Sequence, residues 1–142
     1  MPFTPYLHFD GTCAEAMKFY EDVFDGRDLF MMRFDEMPED AGGDMPRSDR
    51  IMHATLKTDD GILYASDFPQ GGEPQKAVSV SVPIKEVERA RAIFDRLTSN
   101  GGEAAMPFGK TFFSSGFGVV RDRFGTHWFI MVDEPEGPMP DA

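Results

Sequence analysis

Three histidines are spread along the chain: His8, His53 and His127. Imidazole is a donor to both zinc and iron, so three of them converging would make a metal centre. Each also reads as an ordinary hydrogen-bonded side chain. Cys13 is the only cysteine. It has no base beside it in sequence and falls on the apolar stripe of a helix, which reads as a buried structural thiol. Gly109-Lys110-Thr111 resembles the tail of a phosphate-binding loop. The glycine required five residues earlier is Ala104, however, and the strand–loop–helix setting is missing. Gly116-Phe117-Gly118 lacks the third glycine of a dinucleotide fingerprint, and no HExxH motif occurs. The remaining candidates are aromatic and polar groups able to stack on a flat ligand or orient it by a hydrogen bond. They are Tyr6, His8, His53, Tyr64, Asp67, Phe112, Phe113, His127 and Trp128. Core packing is the competing reading for each.

Composition narrows the chemistry. The chain has 142 residues, the length of one ordinary domain. A domain of that size buries about 68–70% of its unfolded surface, enough for a proper core. Phe (14) and Met (10) dominate the large apolar residues, against one Trp. They supply core volume, and Met also lines adaptable pockets. With 25 acidic and 14 basic residues the net charge is −11, which argues against nucleic acid as a partner. A negative cleft would concentrate a cationic ligand, although acidity also serves solubility alone. One cysteine rules out an intrachain disulfide and permits a reducing compartment. No apolar run approaches ~18 residues, and the N-terminus carries no basic-then-apolar leader. The expectation is a cytoplasmic protein with no membrane partner.

The elements that must position these side chains follow from periodicity. In FTPYLHFDG, Phe3, Pro5, Leu7 and Phe9 share one strand face, while Thr4, Tyr6 and His8 share the other. Thr12 and Glu15 have capping-box spacing. The helix after them carries Cys13, Ala16, Met17, Tyr20, Val23 and Phe24 on one stripe and stops at Gly26. RDLFMMRF is a strand. Residues 35–50 are acidic and rich in Pro and Gly, a mobile loop that is either a plain exposed connection or a lid. IMHATLK and ILYASD form a hairpin around Asp60-Gly61. The pattern then restarts. AVSVSVP alternates, with Val78, Val80 and Val82 inward. A second helix carries Val87, Ala90, Ile93, Phe94 and Leu97 and ends at Asn100-Gly101-Gly102. EAAMPF, FGVVRD and THWFIMV are three more strands. In the turn between the last two, Asp122 and Gly125 set the final strand's register. The order is βαβββ twice, an internal repeat.

With PYLHFDG, AEAMKFYEDVFDG, IMHATL, LYASD and GKTFFSSGFGVVRDRFGTHW in that order, the sequence resembles the PhnB-like branch of the vicinal-oxygen-chelate superfamily. That superfamily groups glyoxalase I, extradiol dioxygenases and bleomycin-resistance proteins. The resemblance implies an α+β fold of two tandem βαβββ modules forming a cupped, barrel-like mixed sheet with helices outside. A single domain would span 1–135, with module one about 1–68, module two about 77–133, and a flexible tail at 134–142. The resemblance also implies a concave small-molecule pocket and a homodimer. Relatives of the branch often carry a ubiquinone-pathway methyltransferase label, yet no Gly-rich cofactor loop follows a strand here.

Metal-dependent relatives place four ligands on strands 1, 4, 5 and 8. Carried over by motif, these fall at Pro5, around Leu63 or Tyr64, near Ala77, and at Phe129. Pro, Ala and Phe offer no donor for the coordination distances of about 2.0–2.6 Å that divalent ions require. The expected function is therefore small-molecule binding in the pocket with no cofactor, the ligand being cationic or planar. Two alternatives stand. One is a lyase, isomerase or dioxygenase whose divalent metal sits on a displaced histidine set, after a one-residue slip in the first strand. The other is a dimeric regulatory module with a vestigial pocket.

Overall fold

The computed structural model describes residues 2–38, 46–73 and 76–133. The chain divides into two compact units, Met1–Gln75 and Lys76–Ala142. In the first, β1 (Tyr6–Phe9) leads through α1 (Cys13–Val23) to β2 (Arg27–Arg33), β3 (Ile51–Thr58) and β4 (Gly61–Asp67). In the second, β5 (Val80–Ile84) leads through α2 (Val87–Thr98) to β6 (Glu103–Gly109), β7 (Phe117–Arg121) and β8 (His127–Val132). The strand orders are β1-β4-β3-β2 and β5-β8-β7-β6. The first and last strands of each unit pair parallel and the others antiparallel. The repeat is thus one of topology. Each module builds its own four-stranded mixed sheet, so there are two hydrogen-bonded sheets and not one continuous sheet. No helix among the described residues is long and apolar enough to cross a membrane.

Each core lies between a helix and one sheet face. The α1 stripe Cys13, Ala16, Met17, Tyr20 and Val23 is buried, with Phe24 beside it. It packs on Phe9, Ala54, Leu56, Leu63 and Ala65, the inward residues of β1, β3 and β4. In the second unit Ala90, Ile93, Phe94 and Leu97 of α2 meet Val82, Ile84, Val120, Trp128, Ile130 and Val132. Burying one such side chain contributes roughly 1.5–3 kcal/mol. Gly118 is needed for this approach, since a Cβ there would lie 2.6 Å from the Phe94 ring.

Three local expectations are corrected, at Thr12, Val78 and Val87. Thr12 makes no side-chain cap on α1; the Cys13 amide donates instead to Asp67 Oδ1 at 3.0 Å. That carboxylate serves the first amide of the helix, which is not one of the two amides a capping box would use. Val78 lies ahead of β5 and is exposed, because that strand begins only at Val80. Val87 is also exposed, lying at the start of α2 beyond the covered stripe. The 35–50 segment opens with a 3-10 turn, Phe34–Glu36. Arg47 donates to the Asp35 and Met37 carbonyls, and the Asp35 amide donates to the Ser48 carbonyl, so both described flanks are tied down. Residues 39–45 of the expected lid, and the expected tail at 134–142, lie outside the described residues.

Asp67 is the polar node of the first core. Its Oδ1 accepts from the Gly11 and Cys13 amides at 2.8 and 3.0 Å, and its Oδ2 from the Ile51 amide at 2.9 Å. It thereby ties the ends of β1 and β4 to the starts of α1 and β3. Asp122 plays the same part in the second core. Its Oδ1 accepts from the Phe124 and Thr126 amides, and its Oδ2 from Trp128 Nε1 at 2.9 Å.

Two measurements check this account. Asp67→Ala strands three amide donors, so its urea midpoint should fall by the equivalent of about 3 kcal/mol or more, with Asp67→Asn between it and the parent. The Cys13 thiol is pushed up from 9.0 to about 12, first by burial and second by the charge of Asp67. A thiol raised by folding contributes stability that is complete below pH 9.0 and is lost as pH rises towards 12. The melting temperature should therefore drop across that alkaline window, less steeply in Cys13→Ala. Thiol reagents should label the native protein only at the rate of its opening.

Candidate functional site

One helix covers one face of each sheet, and alternation sends every second side chain to the other face. In the first unit that open face carries Tyr6 and His8 from β1, His53, Thr55 and Lys57 from β3, and Ile62, Tyr64 and Ser66 from β4. Tyr6 and His8 stack with ring centroids 5.0 Å apart, and His8 stacks in turn on Phe68 at 5.5 Å. Tyr6 lies 5.7 Å from His53 and 6.1 Å from Tyr64, and those two rings are 5.5 Å apart. Hydrogen bonds fix the cluster: Tyr6 OH pairs with His53 Nδ1 at 2.9 Å, and Ser66 Oγ with His8 Nδ1 at 3.3 Å.

The second unit's open face is apolar. Phe117 and Val119 of β7 stand there beside Phe129 and Met131 of β8. Phe112, Phe113, Phe117 and Phe129 form a chain of edge-to-face rings with successive centroid distances of 5.1, 5.1 and 5.7 Å. The β6–β7 loop that carries the first two is an ordered turn. Thr111 Oγ1 accepts from the Ser114 amide, and Ser114 Oγ shares its one hydrogen between the Gly116 and Val132 carbonyls, each at 2.8 Å. Phe112 is 76% exposed on this braced turn.

The candidate residues therefore sort by face. Tyr6, His8, His53 and Tyr64 come together on the first sheet. Phe112 and Phe113 join Phe117 and Phe129 on the second. His127 shares the face of Phe129 but sits at the strand's start, opposite Arg121. Asp67 and Trp128 are corrections: both point to the helix side, are 2% and 1% exposed, and are engaged in the core hydrogen bonds above. Ser66, Phe68 and Phe117 escaped the sequence reading. Strand parity with Tyr64 and Phe129 would have found Ser66 and Phe117. Phe68 follows the strand and had no such signal. Ser115 Oγ is the buried side-chain oxygen among the described residues that has no hydrogen-bond partner.

The register allows the positions carried over from the resemblance to be compared between modules. Tyr64, not Leu63, occupies the place in β4 that Phe129 occupies in β8. Their parallel partners on the first strand of each module are Tyr6 and Ser81. Pro5 precedes β1 and Ala77 precedes β5, so neither stands at a strand position. Two phenols, a hydroxyl and a phenyl ring include no imidazole, carboxylate or thiolate, the donors on which divalent sites are built. The set does not fit a divalent ion. His8 and His53 share the first sheet's open face and engage their Nδ1 atoms with Ser66 and Tyr6. Among the described residues no three His, Cys, Asp or Glu side chains are placed to hold a metal.

Comparison with known proteins agrees with this architecture. The family model described as 3-demethylubiquinone-9 3-methyltransferase matches residues 1–131. Protein YjdN of Escherichia coli (strain K12) is 32% identical, across 93% of this chain and 95% of that protein. The crystal structure of PA1353 from Pseudomonas aeruginosa is 34% identical with a TM-score of 0.81, covering 94% of this chain and 98% of that one. A glyoxylase/bleomycin resistance protein/dioxygenase domain from Frankia sp. EAN1pec shares the fold at a TM-score of 0.67 and 14% identity, covering 94% and 98% of the two chains. Paired βαβββ modules, a match over nearly the whole length and these relatives together establish that the chain belongs to the 3-demethylubiquinone-9 3-methyltransferase family, in the PhnB-like branch of the glyoxalase fold.

Proposed function

We propose that the protein binds a small planar molecule on the sheet faces its helices leave open, and does so without a divalent metal. The observation that carries this reading is the cluster of Tyr6, His8, His53, Tyr64 and Phe68, five rings in mutual contact, three of them held by hydrogen bonds, on the sheet face opposite α1. Rings fixed in this way lose little conformational freedom when a flat ligand stacks on them, so more of the stacking free energy appears as affinity. The phenylalanine chain of the second unit supplies the same kind of surface without polar groups.

The methyltransferase description of the family finds no support in the first crossover. A cofactor phosphate or carboxylate bound at a βα turn uses the free amides at the helix N-terminus. At the start of α1 the Gly11 and Cys13 amides are already donated to Asp67. The chain's own carboxylate occupies that position.

Metal analysis and a thermal-shift screen test the proposal together. Protein purified without chelator should contain well under one equivalent of zinc, iron, nickel or manganese, and EDTA should leave its melting temperature unchanged. Planar aromatic compounds should raise that temperature, because selective binding to the native state stabilises it. The gain should shrink in Tyr64→Ala and in Phe129→Ala. Stoichiometric metal lost on His53→Ala or His127→Ala would replace this reading with the metal-dependent enzyme. No stabilisation by any planar compound would leave the regulatory module.

A further inference from the structure

Resting on that binding reading, we propose that the open face of the first sheet selects a planar anion, an aromatic carboxylate, over a planar cation. The net charge of −11 points the other way, but net charge is a sum over the surface and a ligand meets only the groups on the face it touches. On the open face of β1, β3 and β4 the strand positions are Tyr6, His8, His53, Thr55, Lys57, Ile62, Tyr64 and Ser66, and none is a carboxylate. Asp10 follows β1 and Asp67 ends β4, the strands that carry most of the cluster. Asp67 faces α1 and accepts three amides. Asp10 is held by Arg50 at 2.7 Å, and Arg50 also donates to the Phe68 carbonyl at 3.0 Å. Neither offers an unengaged negative charge to a cation on the rings. Lys57 places an ammonium on the same face.

Hydrogen counting gives the same sign. A neutral phenol and a neutral imidazole hold two polar hydrogens between them. The Tyr6–His53 bond uses one. Whichever ring donates, one O–H or N–H remains unspent. The Ser66–His8 pair follows the same count. The face therefore keeps a donor in each pair for either tautomer, joined by the Tyr64 and Thr55 hydroxyls. A carboxylate on a flat ring accepts several such hydrogens while the ring stacks, and hydrogen bonds to a charged acceptor are the stronger kind.

The second module isolates the feature. By register its equivalents of Tyr6, His8, His53, Thr55, Tyr64 and Ser66 are Ser81, Pro83, Phe117, Val119, Phe129 and Met131. The phenols and imidazoles are confined to the first sheet, so charge selection belongs there.

Titration calorimetry of the full chain with three probes of matched shape tests this: 2-naphthoate, 2-naphthamide and (2-naphthylmethyl)trimethylammonium. The carboxylate should bind at least about tenfold more tightly than either of the others. Tyr6→Phe and His53→Phe should each weaken it about tenfold, and together by less than the product, since they break one pair. Lys57→Gln, an exposed change that leaves the urea midpoint unmoved, should narrow the preference for the anion. Equal or tighter binding of the ammonium probe, or carboxylate affinity indifferent to Tyr6→Phe and Lys57→Gln, would overturn the anion assignment while leaving planar-ligand binding intact. Failure of all three probes would overturn both.

Discussion

A four-stranded sheet built with one crossover helix can cover only one of its faces. That constraint governs the whole chain. Parallel pairing of β1 with β4, and of β5 with β8, requires a crossover, and each crossover contains a single helix. The helix side becomes the core, filled by Leu56, Ala65 and Phe9 in one unit and by Val120, Ile130 and Ile84 in the other. Strand alternation then fixes what the second face presents, with no further choice. Tyr64 is outward because Leu63 and Ala65 are inward. Phe129 is outward because Trp128 and Ile130 are inward. A slip of one residue in β4 would bury Tyr64 and turn Asp67 away from the three amides it accepts, so the core hydrogen bonds also set the register of the candidate site.

The two buried carboxylates make that register costly to change. An aspartate deep in a protein is unfavourable unless its oxygens are fully engaged. Asp67 and Asp122 satisfy that condition with backbone amides and an indole, at points where strands turn or helices begin. Residues such as these are easily mistaken for functional groups because they are charged, enclosed and close to aromatic rings. Their partners decide the matter. Each oxygen is committed to the chain itself, so neither aspartate is available to a ligand, and the amides they occupy are withdrawn from any anion.

The repeat, both helical stripes and the hairpin at Asp60-Gly61 were legible in the sequence, because periodicity of 3.6 and of 2 records which side chains face a core. Tyr6, His8, His53 and Tyr64 were legible as candidates because they are polar aromatics within strand patterns. What could not be read was how they meet. The Tyr6–His53 bond joins residues 47 apart and depends on β1 and β3 both flanking β4. Nor could local spacing at Thr12 reveal that a carboxylate 54 residues away would serve the first amide of α1. Trp128 was misassigned because it is next to His127 in sequence, whereas neighbours along a strand point to opposite faces. The carry-over to Pro5 falls one residue ahead of β1, and in a strand one residue is the difference between the two faces.

Comparing the modules position by position separates what the fold requires from what a ligand would require. Helix-facing positions stay apolar in both: Leu63 and Trp128, Ala65 and Ile130, Leu56 and Val120. Packing accounts for them. On the open faces the pairs diverge in kind. His53 stands against Phe117, Tyr64 against Phe129 and Tyr6 against Ser81. Packing against a helix does not explain that divergence, since each unit's own helix lies on the other face. A solvent-facing sheet needs neither a four-phenylalanine chain nor a hydrogen-bonded stack of phenols and imidazoles, and exposed aromatic area on that scale favours association with something flat and apolar. Under the binding reading proposed above, the second module's face would offer contact area alone, and the first module's face area together with oriented hydrogens. Affinity without discrimination comes from the first kind of surface. Discrimination comes from the second, because a ligand that leaves an oriented donor unpaired forfeits more than one that merely stacks poorly.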